Sequence, residues 1–261
     1  MKRTYLALLQ YDGGKFVGWQ RQAKGRSVQG VMEAALGRIH GGTHVVAHGA
    51  GRTDAGVHAL GMAVSFSAPR EWERERLERA LNALLPEDCR VSSVAAMVPG
   101  FHARKSATGR RYRYDIGTDR DSASPFRRRY EWPLGLALDR SALAAAGAAV
   151  LGTHDFRAFA AKTPAMPHHR CTVRRAEWEE RAGGAGVTFH IEGDRFLHHM
   201  VRFLVGTMVD VALGRRPNSE MQTLLARTDN LATSPPAPPQ GLFFVAAEYP
   251  AELYLGISNA S

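Results

Sequence analysis

Apolar and polar positions recur along this chain in two similar rounds. Tyr5 to Tyr11 is a leucine-rich run bounded by Gly13-Gly14, which reads as a strand. Ser27 then stands before Val28, Val31, Met32, Ala35, Leu36 and Ile39. That spacing follows one helical face, with Ser27 as N-cap and Gly41-Gly42 as the stop. His44 to His48, centred on Val45 and Val46, predicts a short strand, and Met62 to Phe66 predicts another. Glu71 to Leu84 predicts a charged helix with Trp72, Leu77, Leu81 and Leu84 inward and Pro86 ending it. Arg90 to Val98 is strand-like again. The order β-α-β-β-α-β is that of a split βαβ unit, a four-stranded sheet with two helices on one face.

The second round repeats the order without repeating the residues. Arg111 to Ile116 alternates Tyr and Arg as a strand, and Asp139 caps an alanine-rich helix to Leu151. Thr172 to Arg181 and Val187 to Glu192 are strands joined at Gly183-Gly184. Phe196 to Leu213 reads as one long helix, Pro217-Asn218-Ser219 opens a short one, and Leu242 to Glu248 is the closing strand. Gly117 to Pro133 is an irregular, arginine-rich insertion. Ser234 to Pro239 is a stiff proline-rich linker.

Composition narrows the partners. The chain has 261 residues and 44% hydrophobic content, enough for one or two domains with a real core. No apolar run approaches the roughly 20 residues of a membrane span. The N-terminus moves straight into a strand pattern without a signal-peptide core, so a cytoplasmic protein is expected. Two cysteines, Cys89 and Cys171, exclude a disulfide scaffold and a cysteine zinc site. Thirty-four Lys and Arg against 25 Asp and Glu give +9, which favours a polyanion such as nucleic acid. The excess is mostly arginine, whose fork suits phosphate.

The candidate chemistry centres on Gly51-Arg52-Thr53-Asp54-Ala55-Gly56-Val57-His58-Ala59. A glycine-bounded loop at a sheet rim holds one carboxylate rigidly, which makes Asp54 a candidate nucleophile or base and Arg52 its neighbour for an anionic partner. The glycine spacing fits neither a dinucleotide fingerprint nor a Walker loop. Tyr112 and Tyr114 share one strand face, opposite Arg111 and Arg113, and such a tyrosine near a carboxylate could stack on a base. His198 and His199 are adjacent, with Arg202 at helical spacing i+4 from His198. That is not a metal-ligand spacing, so no metal is expected, and the helix is expected to present His198 and Arg202 to a cleft. Arg127-Arg128-Arg129, Arg174-Arg175 and Arg215-Arg216 are basic clusters that a phosphate backbone would account for. Gln20, Arg21, Arg26, Arg104 and Lys105 add donors, and His168-His169-Arg170 is a candidate RNA contact, Arg170 included.

Gly51 to Ala59 resembles the signature of the tRNA pseudouridine synthases of the TruA family. Four further blocks match in order: Tyr11-Asp12-Gly13 with Phe16 to Gln22, Phe101-His102-Ala103-Arg104, Arg110 to Tyr114, and Phe196 to Arg202. The resemblance implies uridine isomerisation in the anticodon stem-loop of tRNA, at positions 38–40, by a homodimer without a cofactor. It implies Asp54 as catalytic carboxylate, Tyr112 packing on the target uracil and serving proton transfer, Arg202 pairing with Asp54, and Arg52 entering the vacated stack. Phe101, His102 and Arg104 lie in a matched block and are expected at the substrate. Two departures concern local RNA contacts: Lys105 stands where an aromatic residue is frequent, and Gly100 where an acid is common.

The fold expected is α+β: two ferredoxin-like halves forming a continuous antiparallel sheet, with helices and loops around a central basic cleft. The boundaries expected are 1–104, carrying the Asp54 loop, then 105–250, then a loose tail 251–261. Two rivals remain. A non-catalytic RNA-binding protein would use Tyr112 and Tyr114 to stack bases, though no RNP1-like pattern is present. A glycosidase-like enzyme would need a second placed acid, and only Asp12 offers itself.

Overall fold

A computed structural model describes residues 2–161, 168–227 and 229–256. The fold is α+β, in two compact units: Met1–Thr108 with Phe244–Ser261, and Gly109–Phe243.

The first unit contains β1 (Arg3–Tyr11), α1 (Val28–Ile39), β2 (His48–Gly49), β3 (His58–Ala68), α2 (Arg74–Asn82) and β4 (Cys89–Met97). The strand order is β4-β1-β3, with β2 beside β3 and every pairing antiparallel. This is the split βαβ arrangement that the sequence order predicts. Ser27 caps α1 by accepting the Gly30 N–H at 3.2 Å. Val28, Met32, Ala35 and Leu36 of α1 are buried, as are Leu77 and Leu81 of α2, which is the inward face read from the spacing. β3 is buried almost throughout because both of its faces are covered. The segment after β4 lies against it, with the Ala103 N–H donating to Ser65 Oγ at 2.9 Å.

The second unit contains β5 (Gly109–Gly117), β6 (Trp132–Pro133), α3 (Arg140–Ala148), β7 (Gly152–Asp155), β8 (Arg170–Glu180), β9 (Gly186–Gly193), α4 (Met200–Ala212) and α5 (Glu220–Leu225). Its strands run β5-β9-β8-β7 antiparallel, and β6 adds a short parallel pairing to β5. Asp139 caps α3 by accepting from the Ser141 and Ala142 amides at 2.8 and 3.0 Å. Gly147 lets α3 lie on β8 backbone to backbone, since a Cβ there would be 2.8 Å from the Ala176 carbonyl oxygen. α4 is apolar nearly all round, and ten of its thirteen residues are buried, which makes it the core helix of this unit. The last strand, β10 (Leu242–Glu248), begins in this unit and continues into the first, where the Thr108 N–H donates to Glu248 O at 2.9 Å.

Several elements differ from the sequence reading. Of the run 44–48 only His48 pairs as strand, in β2 with Gly49 just beyond the run, while the buried Val45 and Ala47 lie outside the ladder. The long helix read from Phe196 starts at Met200, since His199 adopts the left-handed conformation at φ 62° and breaks the spiral. The tail read as loose is paired at its start: Val98 donates to Leu253 O at 3.0 Å and Leu255 to Ala96 O at 2.8 Å, both beside β4. Residues 257–261, and the proline-flanked stretch 162–167 before His168, lie outside the described residues. Among the described residues no helix is long and apolar enough to cross a membrane.

Candidate active site

The loop after β2 has little regular structure of its own and is held by its neighbours. The Ala50 N–H donates to Ala63 O at 2.8 Å, which ties its start to β3. The Trp19 N–H donates to Thr53 O at 3.0 Å, and the Val57 N–H donates to Asp54 O at 3.2 Å. Tyr11 Oη and Thr53 Oγ1 are 2.8 Å apart in a buried hydrogen bond. Gly56, at φ 78°, supplies the left-handed turn after Asp54. Asp54 is half-buried and Arg52 exposed.

The segment Phe16 to Trp19 is the second half of this clamp. Gly18 O accepts from Val28 and Trp19 O from Gln29, at 3.2 and 2.9 Å, so the segment is bonded to the first turn of α1. On its other side Gly18 presses against the Asp54 loop at φ 109°. A Cβ at Gly18 would be 2.7 Å from Thr53 O and 3.2 Å from the Asp54 carbonyl carbon. The two sequence blocks around Gly18 and Asp54 are thus one structure. His58 Nδ1 is 3.0 Å from the Gly13 amide and accepts its hydrogen. Asp12 Oδ1 is 3.1 Å from that same nitrogen, a bond only if the ring is protonated, so Asp12 is placed toward His58.

Beside the loop the first unit has a cavity of about 560 Å3, lined by Gln20, Arg52, His102, Arg104 and Lys105 among others. Five residues expected at the substrate therefore come together. Trp19, Gln29 and His48 also line the cavity and were missed; His48 stacks on His102 with ring centres 4.5 Å apart and planes 27° apart. The sequence signal for His48 was its place at the sheet rim three residues before Gly51. His102 Nδ1 accepts the Arg104 N–H at 3.1 Å, which leaves the ring hydrogen on Nε2. Burial, then the nearby His48, Lys105 and Arg104, hold the His102 pKa below its ordinary value, which favours the neutral ring.

Other expected contacts sit elsewhere. Phe101 is buried and packs edge-on against Tyr249 at 5.1 Å, a core contact. Arg26 forks onto Asp88 at 2.6 and 2.7 Å and lies 4.2 Å over the Phe16 ring, so its guanidinium braces the clamp. Arg21 is exposed, 3.5 Å from Glu33.

In the second unit Tyr112 is half-buried on β5, opposite Ile191, with its ring edge-on to Phe196 at 5.1 Å. Tyr114, two residues on, is fully buried and donates its hydroxyl to Pro238 O at 2.7 Å. Burial pushes its pKa well above the ordinary value. Arg202 Nε donates to Ala237 O at 2.7 Å, which fixes the root of its guanidinium. His198 is exposed and lies before α4, so it does not share a helical face with Arg202. The i+4 reading of these two residues is corrected, because the left-handed His199 turns the chain between them. Arg170 is exposed at the start of β8.

The basic clusters are partly neutralised within the chain. Arg127 pairs with Asp119 at 2.7 Å and Glu131 at 3.0 Å, and the buried Glu131 also takes Arg181. Arg175 pairs with Glu177 at 2.9 Å, Arg215 with Asp210 at 3.1 Å and Arg216 with Glu220 at 2.6 Å.

A half-buried carboxylate on a braced loop thus stands beside a cavity lined by Arg52, Arg104 and Lys105, with no carboxylate among the described lining residues. Residues 7–104 and 146–250 match the family model described as tRNA pseudouridine synthase. The chain belongs to this family. It is 42% identical to the tRNA pseudouridine synthase A of Myxococcus xanthus over 90% of this chain and 87% of that protein. It is 40% identical to a same-named protein of Cereibacter sphaeroides over 95% and 98%, and 39% identical to one of Thermus thermophilus over 96% and 98%.

Proposed function

We propose that this protein is an isomerase that converts uridine to pseudouridine in tRNA, with Asp54 as the nucleophile. The observation that carries this reading is the Asp54 loop itself, pinned through Trp19, Tyr11, Val57 and Gly18 while its carboxylate-bearing residue stays half-open to solvent. A rigidly placed carboxylate is what nucleophilic attack needs. Asp54 either attacks C1′ of the ribose and releases uracil or adds to C6 of the ring. In both routes the base is detached, turned and rejoined through C5, with no net redox change. The target nucleotide must leave its stack first, at a cost of a few kcal/mol that pocket contacts offset.

Family membership and the matched blocks support further assignments. Tyr112 packs on the target uracil and moves a proton, Arg202 is the basic partner that keeps Asp54 ionised, and Arg52 fills the vacated stack. Gln20, His102, Arg104 and Lys105 bind the RNA around it, with Arg21, Arg170 and His198 as outer contacts. The substrate region is the anticodon stem-loop, and the working form is a cytoplasmic homodimer. The RNA-binding rival loses its second stacking platform, because Tyr114 is buried with its hydroxyl on Pro238.

The test is Asp54→Asn. Filter binding of tRNA should change little, since phosphate contacts are spread over many cations. Tritium release from C5-labelled uridine should fall to background, because both routes begin at this carboxylate. Near-normal release would refute Asp54 as nucleophile, and no release from the unaltered protein would refute the activity.

A further inference from the structure

Stacking on His102 orients the neighbouring His48, and the cavity beside them has a composition of its own. Arg52, Arg104 and Lys105 line it together with Trp19 and the two histidines, and among the described residues on its wall there is no carboxylate. Its volume, about 560 Å3, is that of a ligand pocket rather than of a packing defect. His102 cannot take a second proton without losing the Arg104 amide bond, so it offers one directed Nε2–H donor. His48, held face to face with it, is exposed on the cavity side. Aromatic rings next to cations, without acids, are how proteins hold an unpaired nucleotide: the ring takes the base and the cations take its phosphates.

We propose that this cavity is a second nucleotide subsite, in which one unpaired nucleotide of the RNA substrate stacks its base on the His48–His102 pair while Arg104 and Lys105 hold its phosphates. The subsite rests on the RNA-modifying function above and adds to it a place for a nucleotide other than the target uridine. His48 is the residue that makes it specific for a base. Lys105 contributes charge, and the stacking surface comes from the histidine pair.

The test measures tRNA affinity against salt for three variants, with folding checked by circular dichroism. His48→Ala should weaken binding about 5- to 150-fold, the range for loss of one base stack. It should do so by the same factor at every salt concentration, because stacking releases no counterions. His48→Phe, which keeps a ring and has no charge to gain, should bind within about twofold of the unaltered protein. Lys105→Ala should lower the slope of log affinity against log salt by about one. The proposal is overturned if His48→Ala binds normally, if His48→Phe binds as weakly as His48→Ala, or if His48→Ala flattens the salt slope and so reveals a phosphate contact. Pseudouridine formation by the unaltered protein is read separately. Its absence would remove the enzyme reading, whereas the variant pattern alone decides the subsite.

Discussion

Replacing Gly18 by Ala tests the clamp on the Asp54 loop. Two terms act on the added methyl group. Gly18 has φ 109°, outside the range that L side chains adopt readily, and such backbone strain costs about 1–3 kcal/mol. The Cβ would also meet Thr53 O at 2.7 Å, the Asp54 carbonyl carbon at 3.2 Å and Ala55 N at 3.3 Å. All three are backbone atoms that cannot swing aside, and overpacking of that kind costs about 1–3 kcal/mol more. The sum, about 2–6 kcal/mol, is a large part of the roughly 5–15 kcal/mol that holds a domain folded. The melting temperature should drop by about 4–24 °C, at roughly 2–4 °C per kcal/mol for a domain of this size. Gly41→Ala is the control, since φ there is 64° and nothing lies within 4 Å. Only the left-handed penalty of about 1–2 kcal/mol applies to it.

Activity separates the clamp from plain destabilisation. At a temperature where both variants are folded, Gly18→Ala should lose far more turnover than Gly41→Ala. The atoms it displaces belong to Thr53 and Asp54, and a shift of about 1 Å at a reacting group can cost about 100-fold. Calorimetry and tritium release on the same preparations give both quantities. If the two variants melt together and Gly18→Ala keeps full turnover, the segment before α1 does not position Asp54.

Three further outcomes follow from the structure. The Arg26 fork holds the Asp88 carboxyl below the usual carboxylate range, so its stabilising contribution is present above the unfolded pKa near 4 and is lost as pH falls through the lower folded value. Acid unfolding followed by circular dichroism should therefore be shallower below about pH 4 in Arg26→Ala, and equal steepness would show that the pair does not contribute. Burial pushes the thiols of Cys89 and Cys171 up to about 12, so a thiol reagent at pH 8 should label neither in the folded protein and both in guanidinium; fast labelling of the folded form would contradict this. Arg202→Ala should fold and turn over very slowly, with Arg202→Lys in between, because lysine keeps charge but not the fork or the Nε bond to Ala237; normal turnover by Arg202→Ala would remove it from the mechanism.

What could be read from the residues was whatever is periodic or local. The α1 face, the caps at Ser27 and Asp139, and β10 from Leu242 to Glu248 stand as their patterns predicted. The start of α4 was misread because Phe196, Leu197 and Met200 continue an apolar pattern, and only a single left-handed residue, His199, interrupts it. Nothing in one histidine's identity announces a positive φ. The short extent of β2 was hidden for a different reason: Val45 and Ala47 are buried as a strand's would be, yet backbone pairing is decided by what lies alongside. The loop motif could be found from its glycines, but its rigidity could not, since Trp19, Tyr11 and Gly18 are brought to Thr53 from a distant block.

Charge shows the same division between what composition states and what geometry allows. A net +9 is a true count, yet it does not say which cations face a partner. Arg26, Arg127, Arg175 and Arg216 each lie within hydrogen-bonding distance of a carboxylate. Such an arginine releases few counterions to RNA, because drawing it away leaves an acid to be solvated again. Their substitution by uncharged residues would break an ion pair as well as remove a cation, so a scan of arginines by sequence cluster would mix two effects. The cavity wall is different: Arg52, Arg104 and Lys105 converge there with no acid among the lining residues. A phosphate entering that wall meets three cations that line one cavity of the first unit. Single substitutions at these cations should therefore read RNA binding more directly than substitutions in the paired clusters, and tRNA affinity measured beside melting temperature checks this.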